Sequence, residues 1–345
     1  MTSAVSGRPA GRGATLWLQH FFVRLGVLPF LLLIAVVVFA LASHRFYGRE
    51  NIINVARQST YLIMVAMGQM LALLTGGFDL SVGTTIAITS VIGATVMAAM
   101  AAAYPDAVVL SIAVGMLAGI GAGSLIGLIN GAGVALFNIS PFMMTLGMQS
   151  VGFGIALYLT GGVPVYGMPK PFGKVLGFGA VSVGDWQIPA PVFVTAALIA
   201  VMYVVLNWTR LGRYLYAIGG NVKASTLSGI NTRLYLFLAY ALCALLTAIS
   251  GIMLTARLDT GEANIGATMP LDSIAACVIG GVSLRGGTGK LGNVVLGAIF
   301  INLVQNGMNL ARIESYLQIV VVGILLIIAV VADQLRQRIM ARLRD

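Results

Sequence analysis

The chain has 345 residues, of which 59% are hydrophobic and 9% charged, whereas roughly 25% of residues are charged in an average soluble domain. This composition excludes a soluble globular protein and predicts an all-α polytopic membrane protein. The formal net charge of +10 does not indicate a nucleic-acid partner, because the basic residues are scattered beside apolar segments. The two cysteines, Cys243 and Cys277, lie in apolar segments and predict neither a disulfide framework nor a metal cluster.

Ten apolar segments predict about ten transmembrane helices, each crossing taking about 20 helical residues. They cover residues 25–43, 59–75, 83–103, 107–136, 142–160, 189–207, 235–256, 269–282, 292–310 and 315–332. With both termini in the cytoplasm, thirteen of the 20 basic residues fall on the inner side, in agreement with the positive-inside rule. We therefore expect a mobile cytoplasmic tail over 1–23, a transmembrane domain over 24–333 and a basic cytoplasmic tail over 334–345.

The second apolar segment ends in Gly76 and Gly77, and Asp79 follows them. An acidic residue at membrane depth is a functional candidate by default, although Asp79 could also cap the helix that begins near Leu80. The sequence GGFDLSVG at 76–83 resembles GGVSLRGG at 280–287, which indicates a weak internal repeat. The predicted structural motifs are Gly76, Gly77, Gly280, Gly281, Gly286 and Gly287.

Glycines recur every four residues in the fourth segment, from Gly115 to Gly131, and so share one face of a helix. Small residues at this spacing let two helices approach closely in lipid. The loop between the fifth and sixth segments, about 161–189, is rich in proline and glycine. We expect it to cover the outer mouth of a pathway or to receive an external partner.

Several uncharged polar residues lie within the apolar segments. In hydrocarbon an unpaired amide is costly, so each amide must either bond across helices or line a wet cavity. A wet cavity lined by amides would suit a hydroxyl-rich solute, and both alternatives stay open. With Asp79, the candidate pathway residues are Gln69, Asp79, Asn130, Asn302, Gln305 and Asn306.

A polar loop at 208–234 interrupts the apolar segments, and its basic residues place it in the cytoplasm. Asn221 is a good N-cap and Gly229 suits a left-handed C-terminal position, so the loop predicts a two-turn helix over 222–228. A helix this short has little stability of its own, and its small apolar stripe of Ala224, Leu227 and Ile230 needs a surface to pack against. We expect either a docking element for a soluble partner or an ordinary loop with one helical turn.

Signals for catalysis are weak. Asp272 follows Pro270 at a helix start and is expected to act as a structural cap. The sequence GGTGKL at 286–291 lacks the first glycine and the Ser/Thr of a phosphate-binding loop. We therefore expect a chain that is not an enzyme and has no cofactor of its own.

Three motifs, at 74–83, 211–230 and 271–287, closely resemble the permease subunits of ribose-type bacterial sugar ABC importers, and the resemblance runs from about 58 to 333. It implies a multi-pass permease of the inner membrane, in contact with the lipid bilayer, that carries a sugar or small polyol. The implied partners are a cytoplasmic ATP-binding subunit, a periplasmic sugar-binding protein and a second permease copy, identical or related. The residues that would couple to the ATPase are Arg213, Gly220, Asn221, Ala224, Leu227, Ser228, Gly229 and Ile230. The alternative is a secondary transporter of a small polar solute, coupled to an ion gradient.

Overall fold

The computed structural model describes residues 28–342, apart from the side chains of residues 332, 333 and 335–342, and it is mostly helical. The predicted tail at 1–23 lies outside this range. A helix occupies each of the ten predicted spans. The helices are α1 Leu28–Ala42, α2 Arg49–Leu74, α3 Val82–Ala103, α4 Val108–Leu136, α5 Pro141–Thr160, α6 Lys170–Phe172, α7 Ala190–Trp208, α8 Arg210–Gly220, α9 Val222–Leu227, α10 Thr232–Leu258, α11 Met269–Ile279, α12 Leu291–Leu310 and α13 Ser315–Arg342.

Six of these helices, α3, α4, α5, α7, α10 and α12, are long and apolar enough to cross a membrane by length and composition. Helix α11 has only 11 residues, so it is about 16 Å long and cannot by itself cross a hydrocarbon core of about 30 Å. Helix α13 continues through Arg342 and takes in most of the predicted C-terminal tail.

Helices α2 and α10 form the centre of the bundle. Every residue of α2 from Ser59 to Leu74 is buried, and α10 packs against α2, α3 and α4. On the other side of α2, α12 packs against α2 and α11, and α1 packs against α12. Helices α2 and α10 are apolar and contain small residues that let them pack closely. At Gly68 of α2, for example, an added Cβ would lie 2.7 Å from the Cys243 carbonyl oxygen of α10.

The glycine face of α4 packs against α3 and α10, as the spacing predicts. A Cβ at Gly119 would lie 2.6 Å from the Thr89 carbonyl oxygen of α3, and one at Gly131 would lie 2.7 Å from the Phe237 carbonyl oxygen of α10. The close approach brings backbone against backbone, which increases dispersion contact in a setting where lipid supplies no hydrophobic driving force. The face therefore serves helix packing.

Two irregular segments enter the bundle. The first, 75–81, follows α2 and leads to α3; the second, 259–268, follows α10 and leads to α11. The second reaches the start of α3, where a Cβ at Gly83 would lie 2.6 Å from the Gly266 carbonyl oxygen and 3.3 Å from Pro270 of α11. Helix α3 thus begins next to the start of α11, well inside the structure.

The loop at 161–189 contains elements that the sequence did not predict. A turn of π-helix, Gly173–Gly177, follows α6, and two antiparallel strands, β1 Ala180–Val183 and β2 Trp186–Pro189, form a hairpin. The hairpin turns at Gly184, whose φ of 58° favours glycine. Arg49 lies over the Trp186 ring at 5.4 Å, so the hairpin is held against the start of α2.

Candidate functional site

The polar loop at 208–234 contains two short helices, α8 and α9, of which the sequence predicted only α9. Asn221 accepts a hydrogen bond from the Ala224 amide at 3.0 Å, and Gly229 has a φ of 81°. Both predicted capping roles are therefore confirmed. The apolar periodicity of Leu211, Leu215 and Ile218 could have revealed α8, because these residues share one helical face.

The apolar side chains of α9 point away from the bundle. Ser225 is the buried residue of this helix, whereas Leu227 is 90% exposed and Val222 is 47% exposed. All eight predicted coupling residues lie at this end of the molecule, and all except Ile230 are exposed. The outward face of this capped helix therefore carries exposed apolar side chains, those of Val222 and Leu227.

Through backbone contacts, helix α8 rests on the glycine turn Gly286–Gly287 and on Leu74, the last residue of α2, which lies just before the second glycine turn, Gly76–Gly77. A Cβ at Gly219 would collide with the Leu74 carbonyl oxygen and the Gly287 amide nitrogen, so no larger residue fits there without movement. The Gly287 amide donates to the Leu74 carbonyl at 2.9 Å, which joins the two turns. The hydroxyl of Tyr216 donates to the Gly289 carbonyl at 2.9 Å.

The two predicted motif repeats have the same local structure, shifted by one residue. Gly76 ends α2 with a φ of 83°, and Gly281 ends α11 with a φ of 81°. In each case the following amide, that of Gly77 or Val282, bonds back five residues to a carbonyl of the last helical turn. The structural equivalent of Gly76 is therefore Gly281, and not Gly280 as the sequence comparison suggested.

Three of the predicted pathway residues form one buried network with Ser81. The Asp79 carboxylate accepts from the Ser81 amide at 2.8 Å and from the Ser81 hydroxyl, to which Asn130 donates at 2.7 Å. The Gln69 amide, oriented to satisfy both of its atoms, bonds the backbone N–H and C=O of Asp79 at 3.1 Å each. Gln69, Asp79 and Asn130 are fully buried, so they hold the irregular segment 75–81 in place.

The other three predicted pathway residues lie on α12 and bond within the protein. Asn306 exchanges two hydrogen bonds of 2.9 Å with Asn51 of α2, and Asn302 donates to the Ala298 carbonyl one turn earlier at 3.2 Å. Gln305 interacts with the Asp272 carboxylate at the start of α11. Each of the three therefore has a partner within the protein, and a role of this polar face in the pathway stays a prediction.

An open cavity of about 350 Å³ lies beside the start of α3, between α5 and the segment 259–268. Its polar lining comes from Thr84, Gln149, Ser150 and Asn264, and Phe153 supplies an aromatic ring. None of the six predicted pathway residues lines it. The signal that could have found it is Gln149, an amide at the centre of the apolar segment 142–160.

The chain matches the family described as branched-chain amino acid transport system / permease component over residues 51–330. It is 33% identical to the ribose import permease protein RbsC of Escherichia coli (strain K12), over 97% of this chain and 99% of that protein. It is 34% identical to the galactose/methyl galactoside import permease protein MglC of the same strain, over 89% and 92% of the two chains. It is 33% identical to the D-allose transport system permease protein AlsC of that strain, over 89% and 90%. No solved structure matches the chain.

Proposed function

Because the chain belongs to the family of transport-system permease components and is the permease subunit of a sugar ABC importer, we propose that α9 is its point of attachment to the separate ATP-binding subunit. The observation that carries this proposal is the exposure of Leu227 on a helix that is capped at both ends. An exposed apolar side chain on a rigid element can fill a pocket of a partner, whereas a loop would lose conformational entropy on binding.

Movement of the partner would reach the bundle through α8. The backbone of α8 directly contacts Leu74, the last residue of α2, and the glycine turn Gly286–Gly287, which precedes α12. Because the contacts involve backbone atoms, α8 cannot shift without moving the ends of these helices. To convert a mostly inward-facing bundle to a mostly outward-facing one, the partner must supply about 5.5 kcal/mol of differential interaction.

The topology, the location, the other partners and the solute are proposed on the same basis, that the chain is a sugar ABC permease. We propose ten crossings, the eighth made by α11 together with the irregular segment 259–268, with both termini in the cytoplasm. We also propose insertion in the bacterial inner membrane and pairing with a second permease copy. A periplasmic binding protein would deliver the sugar at the end that carries the β-hairpin, and the permease itself would need no cofactor. The transported solute is proposed to be a pentose or hexose, since the relatives named above import ribose, galactosides or allose.

The alternative of an ion-gradient-driven transporter gains no support. It requires a titratable side chain that is accessible near the middle of the membrane. Asp79 is fully buried and Asp272 is 7% exposed, and neither lines the cavity. The exposed α9 instead fits a mechanism in which a separate ATP-binding subunit supplies the energy for transport.

The experiment is uptake of radiolabelled ribose, galactose and allose in a strain that lacks this permease, complemented by wild type, Leu227→Asp or Leu227→Met. We expect Leu227→Asp to abolish uptake and sugar-stimulated ATPase activity while the protein still inserts in the membrane. Leu227→Met, which keeps an apolar side chain, should retain most of both. Normal ATPase stimulation in Leu227→Asp, or uptake that survives ATP depletion, would contradict the proposal.

A further inference from the structure

The cavity beside α5 has the size and position of a small-molecule site. Its volume of about 350 Å³ lies within the range of about 300–1,000 Å³ that is usual for ligand pockets. It opens where the start of α3 meets the irregular segment 259–268, since Gly83 lines it and also contacts Gly266. A cavity between the helices of a bundle is a usual place for a small-molecule site.

The amides that line the cavity have no partners within the described part of the chain. Gln149 and Asn264 make no side-chain hydrogen bond there, in contrast to the buried amides of Gln69 and Asn306, whose nitrogen and oxygen atoms are both bonded. An amide left without a hydrogen bond in an apolar environment costs roughly 1–3 kcal/mol. The bonding capacity of these two amides is therefore available to water or to a ligand.

The position of Gln149 within α5 strengthens this reading. Gln149 lies near the middle of a helix that runs from Pro141 to Thr160 and is otherwise predominantly apolar. Phe153 follows it by one helical turn and is 38% exposed, so the two side chains share one face of the helix. An amide and an aromatic ring thus enter the same cavity.

The lining residues indicate which class of solute the cavity can bind. No charged side chain is among the lining residues, so the cavity offers nothing to neutralise an ionic solute. Each amide offers both donors and acceptors, which matches the hydroxyl groups of a sugar. The Phe153 ring can cover the apolar face of a sugar ring, while the hydroxyls of Ser150 and Thr84 remain as acceptors after donating to backbone carbonyls.

We propose that this cavity is the sugar-contacting part of the translocation pathway, and that Gln149 and Asn264 bond the sugar hydroxyls during passage. The proposal rests on the proposed function, because a sugar must be the solute. It moves the pathway role away from the six amide and acidic residues that the sequence favoured. Those residues instead hold the irregular segment 75–81 and helix α12 in place.

The first test measures transport. Gln149→Leu removes the amide at nearly constant size, and Val151→Leu places the same side chain two residues away, at a position that is 54% exposed and does not line the cavity. We expect Gln149→Leu to reduce ATP-dependent uptake roughly tenfold, the effect of one lost hydrogen bond, and to change the relative rates for ribose, galactose and allose. Val151→Leu should transport as the wild type does. Uptake by Gln149→Leu at the rate and sugar preference of Val151→Leu would overturn the proposal.

The second test measures access and does not depend on transport. Both native cysteines are fully buried, so a single introduced thiol can be labelled without interference from them. In the complete transporter, in lipid nanodiscs, Gln149→Cys and Asn264→Cys should react with a charged methanethiosulfonate reagent, and the sugar that the wild type transports best should slow the reaction. Val151→Cys should stay unreactive, because we place this exposed position in lipid, which a charged reagent does not enter. Absence of reaction at both cavity positions, or reaction that sugar does not slow, would overturn the site.

The solute class and the position of the sugar site are tested separately by these measurements. If the wild type takes up none of the three sugars, the proposed solute class is wrong whatever the thiols do. If the wild type transports one of them and the cavity thiols show no protection, the importer assignment stands and the sugar contacts lie elsewhere. If Gln149→Leu does not accumulate in the membrane, the labelling of Asn264→Cys decides the question.

Discussion

Replacing Gly219 by alanine should uncouple the transporter, because this glycine is the closest contact between α8 and the glycine turns. A Cβ there would collide with the Leu74 carbonyl and the Gly287 amide, and would lie 3.0 Å from the Gly287 Cα. All three are backbone atoms, which cannot rotate away as the end of a side chain can. Helix α8 must therefore withdraw from the turns.

The magnitude follows from two opposing effects. Overpacking of this kind costs about 1–3 kcal/mol, while the change from glycine to alanine within a helix recovers about 0.5–1 kcal/mol. A net shift of one or two kcal/mol changes a conformational equilibrium by a factor of about 5–30. We expect the Gly219→Ala transporter to lose sugar-stimulated ATPase activity by about this factor, with the protein still folded.

The matched control is Gly292→Ala, near the start of α12, where an added Cβ meets nothing within 4 Å. It should keep wild-type activity and a wild-type or slightly higher melting temperature. The assay compares sugar-stimulated ATP hydrolysis by the reconstituted complex, with thermal unfolding in detergent as the measure of integrity. Equal stimulation in Gly219→Ala and Gly292→Ala would refute transmission through these backbone contacts.

Three further predictions concern the packing and the buried network. Gly123→Ala should lower stability by about 1–3 kcal/mol, because its Cβ would lie 2.9 Å from the Ala248 Cβ. Gly121→Ala, whose Cβ would face open space, should leave stability unchanged. Thermal unfolding in detergent distinguishes the two variants. In a double-mutant cycle, alanine at Asn51 and Asn306 should show a coupling of about 0.6 kcal/mol, and strict additivity would exclude the pair as a stabilising contact. Asp79→Asn should preserve the hydrogen bonds that the side chain accepts and most of the uptake, whereas Asp79→Ala should lower stability by about 1–3 kcal/mol. Equal expression and uptake of the two variants would contradict a structural role for Asp79.

Hydropathy and capping chemistry predicted much of the architecture from the sequence. The apolar segments correspond to helices because, in lipid, only a helix satisfies its own backbone. The glycine face of α4 and the N-cap at Asn221 were also predictable, since each depends on residues close together in sequence. The left-handed conformation of Gly229 at the end of α9 was predictable too, because glycine adopts it more readily than other residues.

The unpredicted parts depend on contacts between distant segments. The irregular segment 75–81 stays inside the bundle because Gln69 and Asn130 satisfy it, and their partners cannot be read from spacing along the chain. The same holds for the cavity, which is lined by Gln149 of α5 and by Asn264, a residue more than a hundred positions later in the chain. From the sequence, a polar residue in an apolar helix indicates only that a hydrogen-bond partner is needed. Whether the protein supplies that partner is known only from the fold.

Site-specific cross-linking at Leu227 tests the central claim, that a separate motor holds this chain at α9. A benzophenone attached to Leu227→Cys in the assembled transporter should form an adduct with the ATP-binding subunit. The same probe on Ser182→Cys, in the β-hairpin at the opposite end, should form none. An adduct with the ATP-binding subunit from the hairpin position and none from Leu227 would contradict the account.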